Sequence, residues 1–531
     1  MTIRFKHIVP GAVMALSLGM ASCDVLDVTP IDPGTVMKVD ANGLMNKCYA
    51  NMAIAGQQGP DDGDCDVDGL DGGTTGFVRQ LWNANELPTD EAMCCWGDDG
   101  ISSFNFNQYT SSHPMLQGFY YRLYTGIDYC NHYLEKCADY DATMTAEARF
   151  LRAMYYYHLM DCFGNVPFTE VISSECPKQI KRADLFKYIE KELLEIEPNL
   201  LDAEARTSAD KNYGRADKSA AWLLLARLYL NAEVYTGTAQ WAKAKEYAEK
   251  VINSKHVLWT NGANGFSAYQ MLFMGDNGES GASCEAILPV LQDGITTTSY
   301  GTTMFLMASC WKADMNTYGN YNTTEFWSGN RARKNLVDKF FPTSDAPNVE
   351  TEIMTTEAGD DRALFYGKDR TLSITDPAEF TSGFSVAKYR NTYSTGGSAH
   401  ATKFVDTDYF LMRSAEAYLI AAEADARTNG GTTSETGAKY INALRTRAHA
   451  STKASYSLQD ILDERSRELY FEGFRRTDLV RYGQFAGMSD YKWEWKGGVQ
   501  GGVNIDSHLN IFAIPYADMN ANPNLVQNPG Y

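Results

Sequence analysis

Residues able to do chemistry by type and spacing fall into a few groups in this chain. Asp64, Asp66 and Asp68, followed by Gly69, alternate like the first half of an EF-hand loop. Carboxylates at every second position there converge on a hard cation such as calcium. The twelfth position is Thr75 and not the bidentate Glu, so the string equally fits an acidic surface turn. No cofactor is expected apart from calcium at that string. The eight His residues have no ligand spacing, and His158 sits in an apolar helical run that suits a hydrogen-bonded core histidine. Among the eleven cysteines none forms a CxxC pair, and Cys94-Cys95 are adjacent. That excludes the usual zinc and dithiol-redox spacings and leaves disulfides or buried thiols. HExxH, GxSxG, GxxxxGK[ST] and GxGxxG are all missing. Nothing marks out two of the 67 acids as a glycosidase pair, so no catalytic residue is assigned and the chain is read as a non-enzyme. What remains is aromatic: Trp82, Trp96, Trp311 and Trp327 stand in segments rich in Gly, Asp, Asn and Thr. Tyr and Trp offer a flat apolar face with a polar tip, which suits sugar rings edged by hydroxyls.

The first residues set the compartment. Arg4 and Lys6 precede an apolar run from Ile8 to Met20, and Met20-Ala21-Ser22-Cys23 follows. This is the layout of a secretory signal, and small residues before a Cys resemble a bacterial lipobox. Residues 1–22 are read as a lipoprotein signal peptide, with Cys23 as the lipidation site. Acyl chains contribute about 0.8 kcal/mol per buried CH₂, so several of them anchor a protein without a spanning helix. The formal net charge of −20 argues against nucleic acid, whose phosphates call for a Lys/Arg surplus.

The elements that must position these residues read as mainly α. Apolar residues recur at helical spacing from Thr145 to Met160, Ala183 to Leu201, Lys218 to Tyr235, Trp241 to Asn253, Tyr409 to Arg427 and Ala438 to Ala450. Paired helices with small residues at their crossings and short turns between them suggest tetratricopeptide-like hairpins. The reading is one body over 23–531. Its helical scaffold covers about 40–55, 116–255 and 409–484, and its loop-rich, irregular, ligand-binding half about 56–115, 260–408 and 485–531.

Several segments carry a family resemblance. Arg465 to Gly483 includes Glu468, Glu472-Gly473, Arg475-Arg476, Asp478 and Arg481. With the ending Asn522 to Tyr531, with Ala148 to Ala153, Phe163 to Pro167 and Gly214 to Lys218, it resembles the RagB/SusD family. The Arg/Glu-rich segment itself reads as a structural ion-pair network, surface or semi-buried. Gly76 to Arg79, Asn85 to Glu91, Ala232 to Gly237 and Ile287 to Gly294 are similar to a starch-binding member.

The resemblance implies a glycan-binding lid, lipid-anchored at the outer face of the outer membrane, over a SusC-like TonB-dependent transporter. Starch or malto-oligosaccharide is the implied ligand. Local matching puts Trp96, Tyr300 and Trp327 on an aromatic arc, with Arg79 and Asp99 at positions that hold sugar hydroxyls. Asp99 replaces an Asn and Cys94 a second Trp of the family pattern. The alternatives are the same role for another glycan, a glycoside hydrolase, and a lid with no sugar site of its own.

Overall fold

The computed structural model describes residues 39–57, 59–60, 65–67, 72–315 and 322–531. The signal-like segment, Cys23, Asp64 and Asp68 lie outside the described residues. Asp66 is described, and its carboxylate lies 3.5 Å from the guanidinium of the buried Arg122.

The fold is mainly α, and Ala41–Tyr531 is one compact unit. Its longer helices are α1 (Ala41–Ala53), α2 (Phe77–Glu86), α3 (Pro114–Cys137), α4 (Ala142–Phe163), α5 (Arg182–Ile196), α6 (Lys218–Leu230), α7 (Trp241–Ile252), α8 (Ser414–Thr428), α9 (Glu435–Arg447) and α10 (Leu458–Leu469). Their starts are written locally. Asp141, Asp217 and Ser434 each accept a backbone N–H of the first turn, and Ser457 forms a capping box with Asp460. Gly164, at φ 74°, ends α4 and donates its N–H to the Met160 carbonyl. Packing follows the tetratricopeptide-like plan, with α3 on α4, α4 on α5, α6 on α7, and α8 on both α7 and α9. Small residues let the helices approach: Ala244 and Ala248 on α7, and Ala415, Ala422 and Ala426 on α8, are all buried. Among the described residues no helix is long and apolar enough to cross a membrane.

Two readings of secondary structure change. Tyr409–Arg413 is not the start of α8 but a strand, pairing antiparallel with Ala286–Val290. All five of its residues are buried, and bulky side chains enclosed on both faces suit an extended strand in a core. Inside the stretch read as loop-rich, α2 is helical and buried on every side. Its composition hides this, because five of its ten residues are strongly polar and each is met inside the fold. The Arg79 guanidinium donates to the Gly73 carbonyl at 3.1 Å, and Glu86 accepts the N–H groups of Gly473 and Phe474.

The Arg/Glu-rich segment lies deeper than a surface or semi-buried network. Glu468 is fully buried and accepts from Arg413 at 2.6 Å, Arg447 at 2.5 Å and Arg362 at 3.2 Å. Arg413 also pairs with Glu285 and Glu472. Arg475 holds Asp90, and Arg481 holds Glu423. Burying single charges is costly, but here each carboxylate named meets one or more guanidiniums, the condition under which buried ions persist. The network ties the paired strands Ala286–Val290 and Tyr409–Arg413 and the last helices to the loop bearing Asp90.

Candidate sugar-binding groove

Four short-range arrangements build one groove from distant parts of the chain. The first is a two-stranded pairing of β1 (Ala92–Cys94) with β2 (Asn330–Ala332), antiparallel, with Cys94 opposite Asn330. The end of β1 therefore lies beside the start of β2, and Trp96 and Trp327 emerge at the same edge. The Cys95 N–H continues the pairing to the Gly329 carbonyl at 3.1 Å. The second is a back-to-back contact of glycines: a Cβ built on Gly76 would lie 2.8 Å from the Gly301 Cα. This approach sets the first turn of α2, which carries Arg79, against the turn that carries Tyr300. The Arg79 N–H seals it by donating to the Gly301 carbonyl at 2.9 Å.

The third is a chain of rings. Trp96 and Trp327 lie 6.3 Å apart between centroids, tilted by 53°. Trp327 and Tyr300 follow at 5.9 Å and 58°, and Tyr300 and Phe404 at 5.2 Å and 50°. Successive faces are far from coplanar, so the rings form no flat platform. The fourth is a set of polar anchors. The Trp96 indole N–H donates to the Trp327 carbonyl at 3.0 Å, and the Trp327 indole N–H donates to the Glu325 carboxylate at 3.0 Å. The Arg79 guanidinium lies 5.6 Å from the Trp96 ring centroid and 4.8 Å from that of Phe305, within cation–π range.

Gly73, Arg79, Trp96, Asp98, Tyr300 and Trp327 line the resulting open groove of about 500 Å³. Four of the five residues expected from sequence are thus together. Asp99 is exposed and does not line the groove; its neighbour Asp98 does. The Asp99 charge acts on the buried His113. Trp82 and Trp311 are buried core residues, Trp82 edge-on to Phe305 and Phe471. Cys94 is buried within β1, and burial pushes its thiol up to about 12, so this position presents neither an aromatic face nor a reactive thiolate. Cys95 donates its thiol to the Ser328 carbonyl at 3.2 Å, and the ten cysteines from Cys48 to Cys310 are free thiols. His158 is buried as expected, yet among the described residues its Nε2 meets no hydrogen-bond partner. Burial pushes its imidazole down to about 3, so it stays neutral. Asp98, Glu325 and Phe404 were missed by sequence reasoning. Glu325 stands two residues before Trp327, but no motif marks it.

With that geometry in view, the whole chain aligns with the starch-binding protein SusD of Bacteroides thetaiotaomicron at 39 % identity, covering 100 % of both. The chain belongs to the SusD family. A model described as SusD family matches residues 298–531, which bring Tyr300, Trp327 and Phe404. A second, described as starch-binding associating with outer membrane, matches residues 78–230, which bring Arg79 and Trp96. Both SusD-type matches are needed to complete the groove. Among solved structures, a laminarin binding SusD-like protein superposes with a TM-score of 0.65 at 21 % identity, over 92 % of this chain and 99 % of its own. Surface glycan-binding protein A from Bacteroides fluxus does so with a TM-score of 0.65 at 20 % identity, over 92 % and 99 %. At those identities the likeness speaks for the SusD fold alone.

Proposed function

We propose that this chain is a non-catalytic receptor for starch and malto-oligosaccharides, held at the outer face of the outer membrane by a lipid on Cys23. It passes bound glycan to a SusC-like TonB-dependent barrel that it covers as a lid. The observation carrying the reading is the run of four rings from Trp96 to Phe404, each tilted by 50–58° from the next. A bent series of apolar faces suits a ligand that turns as it extends, as an α-linked glucan does, and suits a straight ribbon poorly. Glucose faces stack on Trp96, Trp327 and Tyr300, and Arg79 and Asp98 take hydroxyls at the rim. The full-length similarity to a starch-binding protein supports the same ligand. Closure of such a lid over a barrel sequesters the captured chain and commits it to import.

Titration calorimetry on residues 24–531 tests this, with maltoheptaose, a cyclic α-glucan, cellohexaose and laminarin as ligands. Binding to the first two alone is expected. Binding to laminarin alone would reassign the glycan, and release of shorter sugars from starch by the pure protein would make it a hydrolase.

A further inference from the structure

One ring of the groove is held in place by a group outside its lining. Trp327 precedes β2 in a segment without helix or strand, Thr323–Gly329, so regular structure does not set its side-chain angle. Among the described residues its indole N–H meets one acceptor, the Glu325 carboxylate at 3.0 Å. The Trp327 backbone is fixed separately, its N–H donating to the Ala308 carbonyl at 2.8 Å. Its own carbonyl then receives the Trp96 indole N–H at 3.0 Å. Glu325 orients Trp327, and the Trp327 backbone orients Trp96. Glu325 does not line the groove.

We infer that Glu325 is a positioning residue for glycan binding, latching the Trp327 ring at the tilt that gives the ring series its bend. The inference rests on the glucan-receptor reading above. A side chain ordered before the ligand arrives spares the ordering cost on binding, so the latch acts on affinity. A hydrogen bond to a charged acceptor is stronger than a neutral one, and only partial exposure of Glu325 weakens it here.

A double-mutant cycle separates this role from direct contact or a folding defect. Glu325→Ala is expected to weaken maltoheptaose binding about three- to tenfold, in line with the cost of immobilising one side chain. Glu325→Gln keeps an acceptor oxygen and should restore most of the affinity. In a Trp327→Phe background, which has a ring but no indole N–H, Glu325→Ala should have no further effect. Melting temperatures of the three single-site variants should agree within a few degrees. Unchanged affinity in Glu325→Ala overturns the inference, as does a full loss that persists in the Trp327→Phe background, which would make Glu325 a direct ligand contact. Failure of the unmodified protein to bind any α-glucan counts against the receptor reading itself and is seen before any variant is made.

Discussion

The backbone of Gly329 lies directly under the indole of Trp96: a Cβ built there would stand 2.2 Å from Cε2 and 2.6 Å from Nε1 of the ring. No side chain other than hydrogen leaves Trp96 where it is. Gly329→Ala is therefore expected to displace the ring, lower α-glucan affinity by about tenfold or more, and shift the tryptophan emission. The backbone pairing on either side can persist, so the melting temperature should fall by only a few degrees. Calorimetry and fluorescence on one sample check both halves.

Trp96→Ala and Trp82→Ala should fail differently. Trp96 is half-buried at the groove, and its loss should reduce affinity more than tenfold with little change in stability. Trp82 is fully buried between Phe305 and Phe471. Its removal should cost about 3–5 kcal/mol of stability while the folded fraction still binds. Urea unfolding beside glycan titration distinguishes the two.

Glu468 is the hub of the buried ion network. Burial alone would raise its carboxyl, but Arg447, Arg413 and Arg362 hold it well below the usual carboxylate range. Glu468→Ala leaves those guanidiniums buried and short of a partner, and should cost about 3–5 kcal/mol, measured by urea unfolding.

Asp408 predicts a pH effect of the opposite sign. Burial pushes its carboxyl up to about 7, with Asp406 and Glu279 adding to the rise, against hydrogen bonds from Gln292 and Tyr213. A carboxyl raised from 3.8 binds more protons in the folded state between those values, so its contribution is present at low pH and lost as pH rises through 7. Glu147, raised to about 7 chiefly by burial, acts in the same direction. His113 and His158, lowered to about 4 and about 3, oppose it below 6.5. The wild-type profile mixes these, but comparison with Asp408→Asn isolates one group. The variant should gain on the wild type by on the order of 2 kcal/mol between pH 5 and pH 9. Thermal unfolding across that range measures it, and parallel curves would contradict the assignment.

Much of the molecule was legible in the chain. The helical hairpins were, because apolar periodicity and alanine at the crossings act over a few residues. The resemblance brought out Trp96, Tyr300, Trp327 and Arg79. Other features needed the third dimension. Helix α2 looked like loop because partners as far away as Gly473 and Phe474 satisfy its polar groups. The depth of the Arg/Glu network depends on Glu285, Arg362 and Arg413, which lie far from the segment that announced it. Asp98 lines the groove where Asp99 was expected, because which of two adjacent exposed carboxylates borders a groove is settled only when the strands and turns around it are in place. Sequence by itself determined which rings are available and on what kind of scaffold. Only the tertiary structure decided their bend and their latch, because Trp96 meets the Trp327 carbonyl across 231 positions, and such a contact exists only once β1 and β2 have paired.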